Sequence, residues 1–98
     1  MLRYEVTLEV EPRLAAALEA WMRGTHVPDM GGTGCFLRIR FDRASDTRYR
    51  TCYHAATAAD LNRYLAEHAT EMRDQFARRF PSGISVSRET WEELGTWE

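Results

Sequence analysis

The chain predicts an α+β, ferredoxin-like fold: one four-stranded antiparallel sheet with two helices on one face. Three observations predict it. Apolar and polar residues alternate in four stretches, as half-buried strands require. Apolar residues recur at helical spacing in two further stretches. The two patterns interleave as β-α-β-β-α-β within 98 residues, the size of one small domain. We therefore expect a single domain over 1–98, with 92–98 as a tail.

The first strand runs from Leu2 to Val10. Leu2, Tyr4, Val6, Leu8 and Val10 take one side; Arg3, Glu5, Thr7 and Glu9 take the other. Glu11-Pro12 opens the first helix, where a proline's missing N–H costs nothing. Leu14, Leu18, Trp21 and Met22 form its apolar stripe, and Gly24 is the expected C-cap. Thr25 to Thr33 contains Pro28 and two glycines, so it reads as an irregular loop. A second strand is expected from about Gly34 to Asp42, with Cys35, Leu37, Ile39 and Phe41 inward. The polar run from Arg43 to Thr47 reads as a hairpin turn, and Arg48 to Ala55 as the third strand. Ile39 should oppose Tyr49 or Thr51, because paired residues share a face. Thr57 is a helix N-cap, with Asp60 placed to favour the N-terminal dipole. One long helix follows, with Leu61, Tyr64, Leu65, His68, Met72, Gln75, Phe76, Arg79 and Phe80 on one side, and Pro81-Ser82-Gly83 ends it. Ile84 to Trp91 reads as the last strand.

Composition excludes several classes. The net charge is −2, with both signs interspersed, which argues against a nucleic-acid footprint. All 13 basic residues are arginine. Arginine suits bidentate anion recognition, and uniform codon bias explains the same count. Two cysteines, Cys35 and Cys52, are too few for a disulfide scaffold and should lie on opposite sheet faces. No leader and no membrane-length apolar run is present, so a cytoplasmic protein is expected. Gly31-Gly32-Thr33-Gly34 precedes a strand, whereas a phosphate loop precedes a helix.

Alternation also assigns the open face of the sheet. Glu5 and Thr7 on the first strand should adjoin Arg50, Cys52 and His54 on the third, with Phe36, Arg38 and Arg40 from the second. Two readings compete: a solvated face with cross-strand ion pairs, or the wall of a polar cavity that a second subunit closes. Cys52 and His54 share a face and could both ligate a metal, but no further ligand has a supporting spacing, so no metal site is assigned.

Trp21-x4-His26-Val27-Pro28, then Thr33-Gly34-Cys35-Phe36, then Tyr49-x3-Tyr53 ahead of Asp60-Leu61-x2-Tyr64-Leu65, resembles a small bacterial family of unknown function. That family is placed in the dimeric α/β barrel superfamily, and the resemblance spans nearly the whole chain. It implies that two sheets pack face to face across a homodimer. Its relatives include cofactor-free monooxygenases, small isomerases and haem-handling enzymes.

Trp21 reads either as core or as a ligand contact. His26 reads as a structural cap outside any apolar stripe, or as a general base at the barrel mouth. His68 reads as a satisfied, partly buried histidine. Three functions follow. The first is a homodimer that binds a small polar or anionic molecule between its sheets, through Arg38, Arg40 and Arg50, with Glu5, Phe36, His54 and Trp21 as further contacts. The second is a cofactor-independent monooxygenase or isomerase in which His26 moves a proton and Arg50 or Glu5 holds the substrate. The third is a structural dimer with no cavity. No cofactor, nucleic acid or membrane is expected as a partner. Cavity volume in the dimer discriminates them: an enclosed pocket that contains His26 would favour the enzyme, a pocket without His26 the binding protein, and a filled interface the structural dimer.

Overall fold

The computed structural model describes residues 1–98. Four strands, β1 (Leu2–Val10), β2 (Arg38–Ser45), β3 (Arg48–Ala55) and β4 (Ile84–Glu92), form one antiparallel sheet in the order β2-β3-β1-β4. The helices α1 (Ala15–Trp21), α2 (Val27–Gly32), α3 (Ala58–Glu67) and α4 (Ala69–Arg79) cover one face. This is the ferredoxin-like arrangement the alternation predicts.

The first helical region departs most from expectation. Gly24 does not end it. A 3-10 turn at Pro12–Leu14 leads into α1, and a π turn at Met22–His26 carries the chain on into α2. The π turn is marked by the Val27 N–H donating to the Met22 carbonyl. Pro28 has no N–H to offer Gly24, and a widened turn lets a helix pass a proline without that bond. The C-terminal glycine is Gly34 instead. Its φ of 73° is left-handed, and its N–H donates to the Gly31 carbonyl at 3.2 Å.

The π turn also rotates the inner stripe. In a regular helix every fourth residue drifts by about 40°. Here Leu18, Met22, His26 and Met30, each four apart, are all buried. A turn with more residues absorbs the drift and holds all four against the sheet. His26 is thus inside the protein, not at an exposed cap.

Two smaller corrections follow from local hydrogen bonding. β2 starts at Arg38, not Gly34. Ahead of it, the Cys35 N–H donates to Thr33 Oγ1 at 3.3 Å, in a turn that breaks the alternation. Phe36 therefore packs inward on Tyr53 and Tyr64, and Leu37 points to solvent. The hairpin turn is shorter than expected, with a bulge between Arg43 and Ser45, so Ile39 opposes Tyr53. Its face is as predicted; its partner is not. The long helix breaks at His68, which separates α3 from α4, and Leu65 is exposed. Thr57 caps α3 as expected, accepting from the Asp60 N–H at 3.2 Å.

The core falls into two clusters. Tyr4, Met30, Tyr53, Leu61 and Tyr64 lie in one; Leu8, Leu18, Met22, Tyr49 and Phe80 lie in the other. Val6 borders both. No helix is long and apolar enough to cross a membrane.

Candidate active site

A narrow recess lies at the seam between the two clusters, between helices and sheet. From the helices, Met22, His26, Met30, Tyr64, Met72 and Phe76 line it; from the sheet, Tyr4, Val6, Leu8, Thr51, Tyr53 and Val86 do. Arg73 and Arg88 complete the lining. Water centres can occupy about 30 Å³, room for roughly two waters.

Two polar atoms in this lining are buried without a hydrogen-bond partner: His26 Nδ1 and Thr51 Oγ1. They are the only such side-chain atoms in the protein. A buried polar group without a protein partner costs roughly 1–3 kcal/mol, so both atoms meet the recess with unused bonding capacity. His26 is 8% exposed. Burial pushes its pKa down, and the Asp29 carboxylate opposes this. The ring is therefore neutral at neutral pH and retains a lone pair. Trp21 holds it from behind, with the two rings stacked at 5.0 Å. Phe76 and Phe80 meet Trp21 edge-on at 5.6 and 5.7 Å. Trp21 thus backs the imidazole and lies outside the lining of the recess.

Three tyrosines form the other wall. The Tyr4 ring lies 5.9 Å from both Tyr53 and Tyr64. The Tyr4 phenol accepts from Arg73 Nη2 at 3.1 Å. Burial pushes the Tyr53 phenol up strongly; Thr51, close but outside hydrogen-bond geometry, counteracts only in part. Burial pushes Tyr64 up to about 12. The Tyr53 and Tyr64 phenols are therefore neutral donors at neutral pH.

The open face differs. Glu5 lies opposite Cys52, Arg3 and Arg38 opposite His54, and Arg40 opposite Cys52. Glu5, Arg38, Arg40, Arg50 and His54 therefore do come together as predicted, around a shallow depression of about 160 Å³. Arg50 pairs with both Glu5 and Asp42 at 3.3 Å. Cys52 Sγ lies 3.5 Å from His54 Nε2. Burial lowers the His54 pKa, and Arg3, Arg38 and Arg40 lower it further. Cys52 is pushed up, chiefly by burial, so it is a thiol at neutral pH. No group of three His, Cys, Asp or Glu side chains is placed to hold a metal ion. His26 and Phe36 do not reach this face, because both lie on the helix-covered side of the sheet.

Alternation puts Tyr4, Thr51 and Tyr53 on the helix-facing side of the sheet and helical spacing puts Tyr64 on an apolar stripe, while neither pattern gives Arg73 or Arg88 a role. One signal was available: Leu18-x3-Met22-x3-His26-x3-Met30 repeats every four residues, which puts His26 on the buried stripe once the turn widens.

HapK from Hahella chejuensis has a similar fold, with a TM-score of 0.75 at 17% identity over 100% of this chain and 97% of that one. A protein of unknown function from Nitrosomonas europaea gives 0.73 at 17%, over 99% and 92%. SnoaB, a cofactor-independent oxygenase from Streptomyces nogalater, gives 0.62 at 14%, over 97% and 94%. At such identities the likeness shows the fold. No curated protein matches the chain in sequence. Residues 1–94 match the family described as a domain of unknown function, DUF4286, and the chain belongs to that family.

Proposed function

We propose that this protein is a homodimer whose helix-side recess binds a small molecule and takes a proton from it, with His26 as the base. The observation that carries this is the pair of buried, unpartnered atoms, His26 Nδ1 and Thr51 Oγ1, in one lining. The substrate's proton passes to the neutral imidazole, and its bonding pair stays on the substrate. The Thr51 hydroxyl and the tyrosine phenols are donors for the charge that develops there. Proton removal of this kind is shared by isomerases and by oxygenases that need no cofactor, and SnoaB carries the second activity on a similar fold. The dimer is supported by the open face, which leaves Trp91 and the tail residues Leu94 and Trp97 exposed beside Arg3 and Glu5.

A molecule that co-purifies with the protein, identified by native mass spectrometry, tests the reading. Held in D2O with the enzyme, it should exchange one proton, and His26→Gln should slow that exchange by about 10²-fold or more. An unchanged rate would remove His26 as the base.

A second reading places an anion on the open face between subunits. It is supported by Arg38 and Arg40, which have no carboxylate partner beside His54. Binding lost on Arg38→Gln and Arg40→Gln, but kept on His26→Gln, would favour it.

A further inference from the structure

The formal charges around the helix-side recess all have one sign. Arg73 from α4 and Arg88 from β4 line it, and no aspartate or glutamate does. Most arginines of this chain do find a carboxylate, from Arg3 with Glu93 to Arg78 with Glu71. Arg73 and Arg88 form no ion pair. The one side-chain hydrogen bond of Arg73 goes to the Tyr4 hydroxyl rather than to a carboxylate, and Arg88 makes none. Both side chains are exposed, whereas Met22, Met30, Tyr4, Tyr53 and Tyr64 behind them are buried. Two uncompensated guanidinium groups thus stand at the rim of an apolar, aromatic throat. Such a low-dielectric wall strengthens their field on anything bound there. A guanidinium fork matches a carboxylate in shape as well as charge.

We infer that the ligand of this recess is a small apolar carboxylic acid, its carboxylate held at the rim by Arg73 and Arg88 and its apolar body directed toward His26 and Thr51. The inference rests on the reading of this recess as the ligand site. The throat is narrow, and its methionines supply the give. Met22, Met30 and Met72 all line it, and unbranched thioether side chains re-pack readily. Tyr4 links the two ends: it accepts from Arg73 at the rim and lies in the wall beside Tyr53 and Tyr64.

Phenylacetate and hexanoate, each compared with its neutral amide, test this in two readouts. Calorimetry measures affinity for the wild type and for Arg73→Gln/Arg88→Gln. Spectra of protein labelled at the methionine methyls report where the probe sits, with exposed Met1 as internal control. We expect at least one acid to bind about tenfold or more tighter than its amide, and the double variant to bring the pair within about twofold. The Met22, Met30 and Met72 methyls should shift and Met1 should not. The substituted arginines are exposed, so the melting temperature should hold. Equal binding of acid and amide with the three methyls shifted would overturn the acid inference and leave the recess as the ligand site. An acid preference that survives the double variant would overturn it too, as would no acid binding up to about 10 mM. An arginine-dependent acid preference with the three methyls unmoved would overturn the reading of the recess itself.

Discussion

The two faces of this sheet handle polar groups in opposite ways. On the open face, charge is abundant and largely paired: Arg50 meets Glu5 and Asp42, and Arg3 meets Glu93. These pairs are partly solvated, and exposed pairs contribute only about 0–1 kcal/mol each. On the helix-covered face polar groups are few, yet His26 Nδ1 and Thr51 Oγ1 are buried without partners. The face that looks reactive in sequence is the one whose charges are mostly satisfied. The face that looks like core holds the atoms with unmet bonding capacity, and those are the atoms a ligand can satisfy.

Substitutions on the two faces should therefore differ in size and in sign. The largest effect belongs to packing. Leu18→Ala should lower unfolding free energy by about 2–5 kcal/mol, since Leu18 is fully buried. A loss under about half a kcal/mol in a denaturant titration would mean that α1 does not pack as described. Thr51→Val keeps the shape and deletes an unsatisfied hydroxyl, so it should raise stability by about 1 kcal/mol. Destabilisation instead would show that the hydroxyl has a partner, such as an ordered water.

Protonation comes next. The folded-state pKa of His26 is depressed, so its neutral form is favoured by folding. Its contribution is complete above the unfolded value near 6.5 and is lost as pH falls from there through the depressed folded value. Wild-type melting temperature should drop over that window, and His26→Gln should flatten the drop. His54 acts in the same direction, but part of its shift comes from Arg3, Arg38 and Arg40. Salt should weaken the His54 share and not the His26 share, where the one charge that acts, Asp29, opposes the shift. A salt-independent drop in His26→Gln would break that distinction. The smallest effect belongs to the open face. Glu5→Gln should change stability by under about 1 kcal/mol, and less at high salt. A several-fold larger loss would mean that the Glu5–Arg50 pair is desolvated, as a subunit interface would make it.

Much of this was legible from residues alone. Alternation set the face of nearly every residue of β1 and β3, and so assembled Glu5, Arg50, Cys52 and His54 correctly. Thr57 announced the start of α3. The π turn was not legible, because Gly24 and Pro28 both carry the ordinary signals of a helix end. Only the three-dimensional sum of Leu18, Met22 and Met30 on the sheet makes the wider turn worth its poorer hydrogen bonds. Phe36 was misplaced for a related reason. A hydrogen bond from the Cys35 N–H to the Thr33 hydroxyl competes with strand pairing, and period-two counting does not register it. Thr51 was placed on the correct face, but whether a hydroxyl there finds a partner depends on distances that no periodicity encodes.

If ligand chemistry belongs to the helix-covered face, the two histidines should report on the two faces separately. Nitrogen-15 spectra of the imidazoles, recorded as the co-purifying molecule is titrated back into stripped protein, test it most directly. The His26 ring nitrogens should shift and titrate with occupancy while those of His54 stay in place. Shifts confined to His54 would put the ligand on the open face and contradict it.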